Sequence, residues 1–233
     1  MTIQEPGAYS GTDVLEVMTE ARNYNRYLTA LIDAQLRPGI KVLDFGAGAG
    51  TFAVPLVRRG VDLVCVEPDA ALGARLRNAG AKVIAELDNI ADESVDLIYT
   101  LNVLEHISDD AAAVRELSMK LKPHGTLLVY VPAFQIFYSA FDRKVGHLRR
   151  YRRKNLTNLV QASGLKVTAV RYADSMGFLA ALLYRVIKGD NGNISRRAVR
   201  IYDNIVFPIS VVADIILARW IGKNLILVSK KCR

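Results

Sequence analysis

Short apolar runs alternate with segments of helical periodicity through the middle of the chain. Apolar runs of strand length occupy six stretches: 41–45, 61–66, 81–85, 95–100, 125–132 and 165–172. The intervening sequence predicts four helices: 51–59, 70–79, 108–121 and 154–163. Strands that alternate with helices predict an α/β fold, in which a mostly parallel sheet carries helices on both faces.

Two regions lie outside this alternation. The N-terminal region looks helical, most clearly at 20–36, and precedes the first strand as a cap. Later in the chain, two apolar helical stretches at 177–187 and 199–221 flank a polar turn at 189–193. The sequence therefore predicts one domain over 1–233, built from four parts: a helical cap at 1–38, a core at 39–173, a helical insertion at 174–223 and a final strand at 224–230.

A glycine-rich turn follows the first strand. The strand ends at Asp44, the turn places glycines at 46, 48 and 50, and a helical segment follows. Glycine allows a sharp turn and a close approach of a ligand to the backbone, so a strand, a glycine turn and a helix N-terminus together predict a nucleotide site. The dinucleotide fingerprint G-x-G-x-x-G would need a glycine where this chain has Thr51, which argues against a dehydrogenase.

The G-x-G-x-G turn with an acid before it resembles motif I of the class I S-adenosylmethionine-dependent methyltransferases. Two later segments add to the resemblance: 96–107, which contains Leu-Glu-His, and 121–129, where His124 replaces a usual glycine. The resemblance covers roughly residues 22–173. It implies a Rossmann-like sheet of seven strands with the seventh antiparallel, S-adenosylmethionine as the cofactor, and S-adenosylhomocysteine as its product.

The resemblance also implies roles for individual residues. Asp44 and the glycine turn would hold the amino-acid end of the cofactor, and Glu67 would accept hydrogen bonds from its ribose. Residues 86–87 would contact the adenine, although Asp88 competes with its neighbour, and 101–102 would lie under the methionine arm. The predicted cofactor site comprises Asp44, Phe45, Gly46, Ala47, Gly48, Gly50, Glu67, Pro68, Glu86, Leu87, Leu101 and Asn102.

His106 is the candidate catalytic residue. A hydroxyl acceptor must lose its proton during methyl transfer, and an imidazole titrates near neutral pH, so it suits a general base. The alternative is a histidine near a helix N-terminus that is bonded to the backbone. Glu105 is adjacent, but the sequence shows no cluster of ligands around the pair, so no metal site is predicted.

The loop after the fifth strand is rich in aromatic and cationic residues. It leaves the carboxyl end of a strand, so it should border the acceptor site. Six of its residues are predicted to bind the substrate: Phe134, Tyr138, His147, Arg149, Arg150 and Tyr151. Such a site suits an acceptor with an apolar body and an acidic group. The alternative is a loop packed by its own aromatics, with solvated arginines.

Composition narrows the classes of partner. The net charge of +8 suits nucleic acid, a membrane surface or an acidic substrate. Two cysteines, Cys65 and Cys232, make no disulfide framework, and the N-terminus lacks the pattern of a signal peptide. These features predict a reducing, cytoplasmic location, with membrane association as an addition.

The helical insertion has three interpretations. Its apolar stretches are interrupted by Asp203 and Asp214 and fall short of the roughly 20 apolar residues of a spanning helix. It could be a lid packed on the domain, the interface of a homodimer, or a peripheral membrane contact helped by Arg196, Arg197 and Arg200.

The leading functional hypothesis is methyl transfer to an oxygen of a small or lipid-like acceptor. The basic charge raises an RNA or DNA methyltransferase as an alternative, but the apolar insertion occupies the place of a nucleic-acid groove and makes nucleic acid an unfavoured partner. A non-catalytic binding protein on a nucleotide fold is a further alternative, since fold does not determine function.

Overall fold

The computed structural model describes residues 17–188 and 195–232. The start of the predicted cap, at 1–16, and the predicted polar turn at 189–193 lie outside the described residues.

A seven-stranded sheet organises the described part of the chain. Its strands are β1 Lys41–Phe45, β2 Asp62–Val66, β3 Lys82–Ile84, β4 Val95–Leu101, β5 Leu121–Pro132, β6 Leu165–Ala173 and β7 Asn224–Lys231. They lie in the order β3-β2-β1-β4-β5-β7-β6, and β7 is antiparallel to both of its neighbours. The predicted α/β fold is confirmed, including its antiparallel last strand.

Helices cover both faces of this sheet. They are α1 Arg22–Asp33, α2 Ala53–Arg58, α3 Ala70–Asn78, α4 Asp110–Lys120, α5 Ala140–Lys144, α6 Arg153–Ala162, α7 Ser175–Lys188, α8 Arg196–Ile201 and α9 Phe207–Leu217. Successive side chains of a strand point to opposite faces, so Val42 and Leu56 belong to one buried apolar cluster, whereas Leu43 and Leu117 belong to another. All four side chains are buried.

The fifth strand begins earlier than the sequence predicts. The apolar pattern places its start at residue 125, but Leu121 already pairs with Val95 in the sheet. The Leu121 side chain is completely buried, and a register shift near Val95 accommodates the Lys-Pro-His-Gly segment that follows it. Burial of Leu121 therefore outweighs the proline and glycine that suggested a loop.

The second half of the insertion is divided rather than continuous. The sequence predicts one helix over 199–221, but a π-helical turn at Tyr202–Val206 separates α8 from α9. Pro208 has no N–H to donate to the carbonyl of Asn204, which accounts for a wider turn just before it.

Two carboxylates that interrupt the apolar pattern anchor the insertion. Asp203 is buried and accepts hydrogen bonds from the backbone N–H groups of Asn23 and Tyr24, both at 2.9 Å, at the start of α1. Asp214 accepts from the N–H groups of Asp174 and Ser175, at 2.7 and 2.9 Å, where α7 begins. Each carboxylate thus satisfies unpaired N–H groups at a helix start that is distant in sequence.

The insertion leaves an apolar surface exposed, which we call the outer face. Its large hydrophobic members are Leu179, Leu182, Leu183, Ile201, Ile205, Ile209, Val211, Val212, Ile215, Ile216 and Trp220. Ile215 is 82% exposed and Trp220 is 62% exposed, whereas Phe207 and Ser210 of α9 are buried. A lid packed on the domain therefore accounts for only one side of these helices.

Candidate active site

The glycine turn after β1 has a backbone that only glycine fits. Gly46 has a φ of +84°, and a Cβ added to it would lie 2.4 Å from Cγ2 of Val103. Gly50 has a φ of +80°, and its added Cβ would lie 2.6 Å from Cδ2 of Leu76. The N–H groups of Gly46 and Ala47 both donate to the carbonyl of Val66, at 3.0 and 3.2 Å. The turn is therefore folded back against the end of β2.

Asp44 lies at the carboxyl end of β1, beneath this turn. It is buried, and its Oδ2 accepts a hydrogen bond of 2.8 Å from the hydroxyl of Tyr99 on β4. Burial raises the pKa of Asp44 to about 7, although the Tyr99 hydrogen bond opposes the shift. A ligand cation beside this carboxyl would favour its ionised form, so its chemistry fits an ammonium group.

Glu67 follows β2 and faces the same turn. One carboxylate oxygen accepts the N–H of Gly48 at 2.6 Å, and the other accepts the N–H of Asp69 at 2.9 Å. Burial raises the pKa of Glu67, and these two hydrogen bonds oppose it. Each oxygen keeps a second lone pair that a hydroxyl donor could use.

The remaining predicted cofactor residues lie around the same edge of the sheet. Phe45 and Leu87 are buried in the core, whereas Pro68 and Glu86 are exposed. Asn102 follows β4 with a φ of +56°, and its amide donates to the hydroxyl of Tyr24 at 3.4 Å. The structure thus brings the ends of β1, β2 and β4 together around the glycine turn, because these strands are neighbours in the sheet.

His106 lies in a short 3₁₀ helix, Leu104–His106, just beyond β4. Its Nδ1 is 3.2 Å from the carbonyl oxygen of Gly146, which is the kind of backbone partner that the alternative interpretation expected. Burial, followed by the nearby His147, lowers the pKa of His106 to about 4. The imidazole is therefore neutral at physiological pH.

The structure brings His147 against the Glu105–His106 pair. Ligand atoms of these three residues lie within 4.8 Å of one another, and His147 Nε2 is 3.8 Å from Glu105 Oε1. The sequence interpretation that no cluster surrounds this pair was wrong. The Leu148 N–H donates to the Glu105 carbonyl at 2.7 Å, so the loop after β5 folds back over β4, and sequence spacing carries no signal of this return.

An ion pair that is largely buried holds this loop in place. Arg150 donates to both carboxylate oxygens of Asp142, each at 2.9 Å, and the Asp142 side chain is fully buried. Burial alone would raise the pKa of Asp142, but hydrogen bonds from His147 and Arg150 outweigh it and hold the pKa well below its usual range. The alternative interpretation, in which the arginines of this loop are solvated, therefore does not hold for Arg150, and its binding of an acceptor stays a prediction.

Two more residues predicted to bind the acceptor have internal partners. Arg149 forms a 3.0 Å ion pair with Asp110 and donates to the Ser108 carbonyl at 2.7 Å. The Tyr151 hydroxyl donates to Asp110 at 2.7 Å and lies 3.1 Å from the Leu104 carbonyl oxygen. These contacts attach both side chains to the segment 104–110. Their binding of an acceptor stays a prediction.

Aromatic side chains join the loop to the insertion. Phe134 has a φ of +60° and stacks on Tyr172 with ring centroids 4.8 Å apart. Phe178 of α7 meets the edges of Phe134 and Phe137 at 5.4 and 4.9 Å. Tyr138 points elsewhere, because its hydroxyl donates to the His147 carbonyl at 2.7 Å. The insertion therefore contacts the loop that follows β5.

A polar cluster at the base of the insertion was not predicted from the sequence. Asp174 is buried with a φ of +64° and accepts hydrogen bonds from the hydroxyl of Tyr202, from Ser210 Oγ at 2.9 Å and from the Gly177 N–H at 3.0 Å. The three donors belong to three separate helical segments, so hydrophobic periodicity does not predict that they meet.

Among the described residues, no helix is long and apolar enough to cross a membrane.

The raised pKa of Asp44 predicts a pH dependence of stability in the absence of cofactor. The folded state holds the proton more tightly than the unfolded chain, so this group's contribution is lost as the pH rises toward 7. Relative to Asp44→Asn, the wild type should lose on the order of 3 kcal/mol of unfolding free energy between pH 5 and pH 8. Urea titrations at the two pH values measure this difference.

Asp62→Asn is the control, because Asp62 is an exposed carboxylate on the same sheet. It should show a much smaller change. Equal pH dependence of the wild type and Asp44→Asn would contradict a raised pKa of the buried Asp44 carboxyl.

The chain resembles known proteins both in sequence and in fold. The family described as a methyltransferase domain matches residues 19–170, more than half of the chain. A ubiquinone biosynthesis O-methyltransferase of Azorhizobium caulinodans is 30% identical over 40% of this chain and 42% of the relative. The chain thus spans less than half the length of the curated relatives it matches.

Two solved structures share the fold. A SAM-dependent methyltransferase from Thermotoga maritima has a TM-score of 0.64 and 17% identity, with 94% of both chains covered. A SAM-dependent methyltransferase from Archaeoglobus fulgidus has a TM-score of 0.60 and 14% identity, with 89% of this chain and 94% of the other covered. At these identities the likeness concerns the fold alone.

Proposed function

The chain belongs to the methyltransferase domain family, and on that premise we propose that it methylates an oxygen of a small or lipid-like acceptor carrying an acidic group. As a class I methyltransferase it uses S-adenosylmethionine. The observation that supports the site most directly is the meeting of Asp44, the glycine turn and Glu67 at neighbouring strand ends.

The cofactor-binding residues are part of the proposal. Asp44 would bind the amino group, because a cation offsets the cost of a buried carboxylate. Glu67 would accept from the ribose through its remaining lone pairs. Residues 86–87 would border the adenine, and 101–102 the methionine arm. When bound, S-adenosylmethionine supplies a methyl group on a sulfonium sulfur, and the bonding electron pair stays with sulfur as the acceptor oxygen forms its new bond.

The remaining requirement for oxygen methylation is a destination for the hydroxyl proton. His106 is neutral and lies just after β4, on the side of the cofactor turn, so it is the proposed proton acceptor. The O-methyltransferase relatives give independent support for oxygen as the acceptor atom. The transfer then yields S-adenosylhomocysteine, a methyl ether or ester, and a proton.

The loop and the insertion together support the class of acceptor. Phe134, Phe137 and Phe178 form an aromatic wall that suits an apolar body. Arg149, in the same loop as Phe134 and Phe137, supplies a positive charge that suits an acidic group, although it also pairs with Asp110.

We further propose that the outer face contacts an anionic membrane surface. Among the described residues it presents eleven large apolar side chains, while Asp203 and Asp214 bond to backbone groups within the protein. Arg197 and Arg219 are exposed on the same segment. An apolar face flanked by cations with its acids turned inward complements anionic lipid.

A vesicle flotation assay tests this contact. Ile215→Ser with Ile216→Ser should reduce binding to phosphatidylglycerol vesicles by about 10-fold or more, because both side chains are highly exposed and would enter the interface. Met119→Ser is the matched control, since Met119 is 48% exposed and lies outside the insertion. Wild-type protein that fails to float but sediments as a dimer, with the double variant monomeric, would contradict the membrane proposal and favour a homodimer.

The acceptor proposal is tested by transfer of labelled methyl groups from S-adenosylmethionine to a panel of phenolic acids, fatty acids and acidic lipids. His106→Gln should slow transfer by about 100-fold while binding S-adenosylhomocysteine normally, since a general base contributes that much to a rate. Transfer to nucleic acid only, or cofactor binding without any transfer, would contradict the proposal.

A further inference from the structure

We propose that Glu105, His106 and His147 bind a divalent transition-metal cation beside the acceptor site. The donor atoms of the three side chains lie within 4.8 Å of one another, a spacing that small side-chain movements can close around an ion. This inference rests on the proposed function only for the purpose of the cation, because the binding itself can be measured without any methyl transfer.

The donor set is chemically specific. Two imidazoles and one carboxylate suit Zn²⁺, Fe²⁺, Co²⁺ and Ni²⁺ better than they suit Mg²⁺ or Ca²⁺, which prefer oxygen ligands. Three protein ligands also leave coordination positions open for a water molecule or a substrate oxygen. A site of this kind would therefore serve chemistry rather than only hold the loop.

Both imidazoles are oriented through their Nδ1 atoms. His147 Nδ1 is 2.7 Å from Oδ1 of Asp142, and His106 Nδ1 is 3.2 Å from the carbonyl oxygen of Gly146. A carbonyl oxygen can only accept, so Nδ1 of His106 carries the proton and its Nε2 holds the lone pair. Metal-bound histidines typically show this arrangement, in which an acceptor fixes the ring through the nitrogen that is not bound to the metal.

Asp142, which holds the His147 ring through Nδ1, is itself held in place. Asp142 is fully buried and is held by Arg150 through two hydrogen bonds of 2.9 Å, so the group that orients His147 is itself fixed. The resulting chain of contacts runs from Arg150 through Asp142 to His147, whose Nε2 faces Glu105 at 3.8 Å.

Glu105 indicates a bound ion independently of the spacing of the three donor groups. Its side chain is completely buried, and neither carboxylate oxygen has a hydrogen-bond partner in the structure. A buried carboxylate without partners is costly, and a polar group of this kind calls for an explanation such as an ion. The Arg150 guanidinium, which acts on Glu105 electrostatically, donates its hydrogen bonds to Asp142 and gives none to Glu105. A divalent cation would satisfy both oxygens and balance their charge.

The cation would have a defined purpose in the proposed reaction. It would bind the acceptor oxygen, hold it in position and lower the pKa of its hydroxyl group. In that case Nε2 of His106 is a ligand, and a water molecule or the bulk solvent takes the released proton in place of His106.

The test uses the full chain without a histidine tag and titrates it with Co²⁺, whose visible absorption reports coordination. We expect one cobalt ion per chain in the wild type. Glu105→Gln and His147→Gln should each weaken binding by about 100-fold. His124→Gln is the matched control, because His124 is the other histidine of the chain and lies within β5, outside the cluster. It should bind cobalt as the wild type does.

Calorimetry with S-adenosylhomocysteine keeps this result separate from the proposed function. Normal S-adenosylhomocysteine affinity in Glu105→Gln shows that the variant is folded, whatever happens to cobalt. X-ray absorption of the wild-type cobalt complex should show two imidazole ligands. No cobalt binding by the wild type, or unchanged binding by Glu105→Gln, would overturn the metal proposal and leave the methyltransferase assignment untouched.

Discussion

Gly46→Ala is expected to reduce the affinity for S-adenosylhomocysteine by about 100-fold or more, an effect of ~3 kcal/mol. The added Cβ would lie 2.4 Å from Cγ2 of Val103, so either the turn or the Val103 segment must move. The positive φ of +84° adds backbone strain of its own. Because the turn and Val103 flank the proposed methionine site, either movement displaces groups that would contact the cofactor. Isothermal titration calorimetry measures the change.

Gly60→Ala provides a matched control for the conformational part of this effect. Gly60 has a similar φ of +79°, but a Cβ there meets nothing within 4 Å. Both variants should lose about 1 kcal/mol of stability from the left-handed backbone, while only Gly46→Ala should lose cofactor affinity. Equal cofactor affinity in the two variants would remove the glycine turn from the cofactor site.

Arg150→Met is expected to lower the free energy of unfolding by about 3–5 kcal/mol, because it leaves the fully buried Asp142 without its paired guanidinium. The cost comes mainly from the uncompensated carboxylate rather than from the loss of attraction. Urea denaturation at neutral pH measures it, and the double variant Asp142→Asn with Arg150→Met should recover a large part of the loss.

Arg59→Met is the control for removal of an arginine from an ion pair. The Arg59–Asp33 pair is short, at 2.7 Å, but its side chains are 50% and 39% exposed. Water solvates such a pair in both the folded and the unfolded state, so the expected loss in the free energy of unfolding is below about 1 kcal/mol. Similar losses in Arg150→Met and Arg59→Met would show that the Asp142 pair does not stabilise the loop as its burial implies.

The sequence predicts the sheet well, because hydrophobic periodicity and the glycine and proline residues that end helices and strands are local features of the chain. Each predicted strand is present, and Gly80 and Gly164 follow helices where the sequence places their ends. The early start of β5 at Leu121 and the π-helical turn before Pro208 were not predicted. Both depend on tertiary contacts: Leu121 is buried against the core, and Asp203 is drawn inward by the N-terminus of α1.

The candidate site likewise has one part that the sequence predicts and another part that depends on tertiary contacts. Residues that follow neighbouring strands, such as Asp44 and Glu67, meet because the topology of a parallel sheet puts strand ends together. The cluster of Glu105, His106 and His147 could not be anticipated, since it needs the long loop to return over β4. The same return gives Arg150 a buried partner, Asp142, which neither the predicted role in substrate binding nor the alternative of a solvated arginine anticipated.

The most direct measurement is a calorimetric titration of the full chain with S-adenosylhomocysteine, repeated with Glu67→Ala and with NAD as the comparison ligand. The account predicts micromolar binding of S-adenosylhomocysteine at one site per chain, a large loss of affinity in the variant, and no heat from NAD. Undiminished S-adenosylhomocysteine binding by Glu67→Ala, or binding of NAD in its place, would contradict the assignment of the cofactor to the glycine turn.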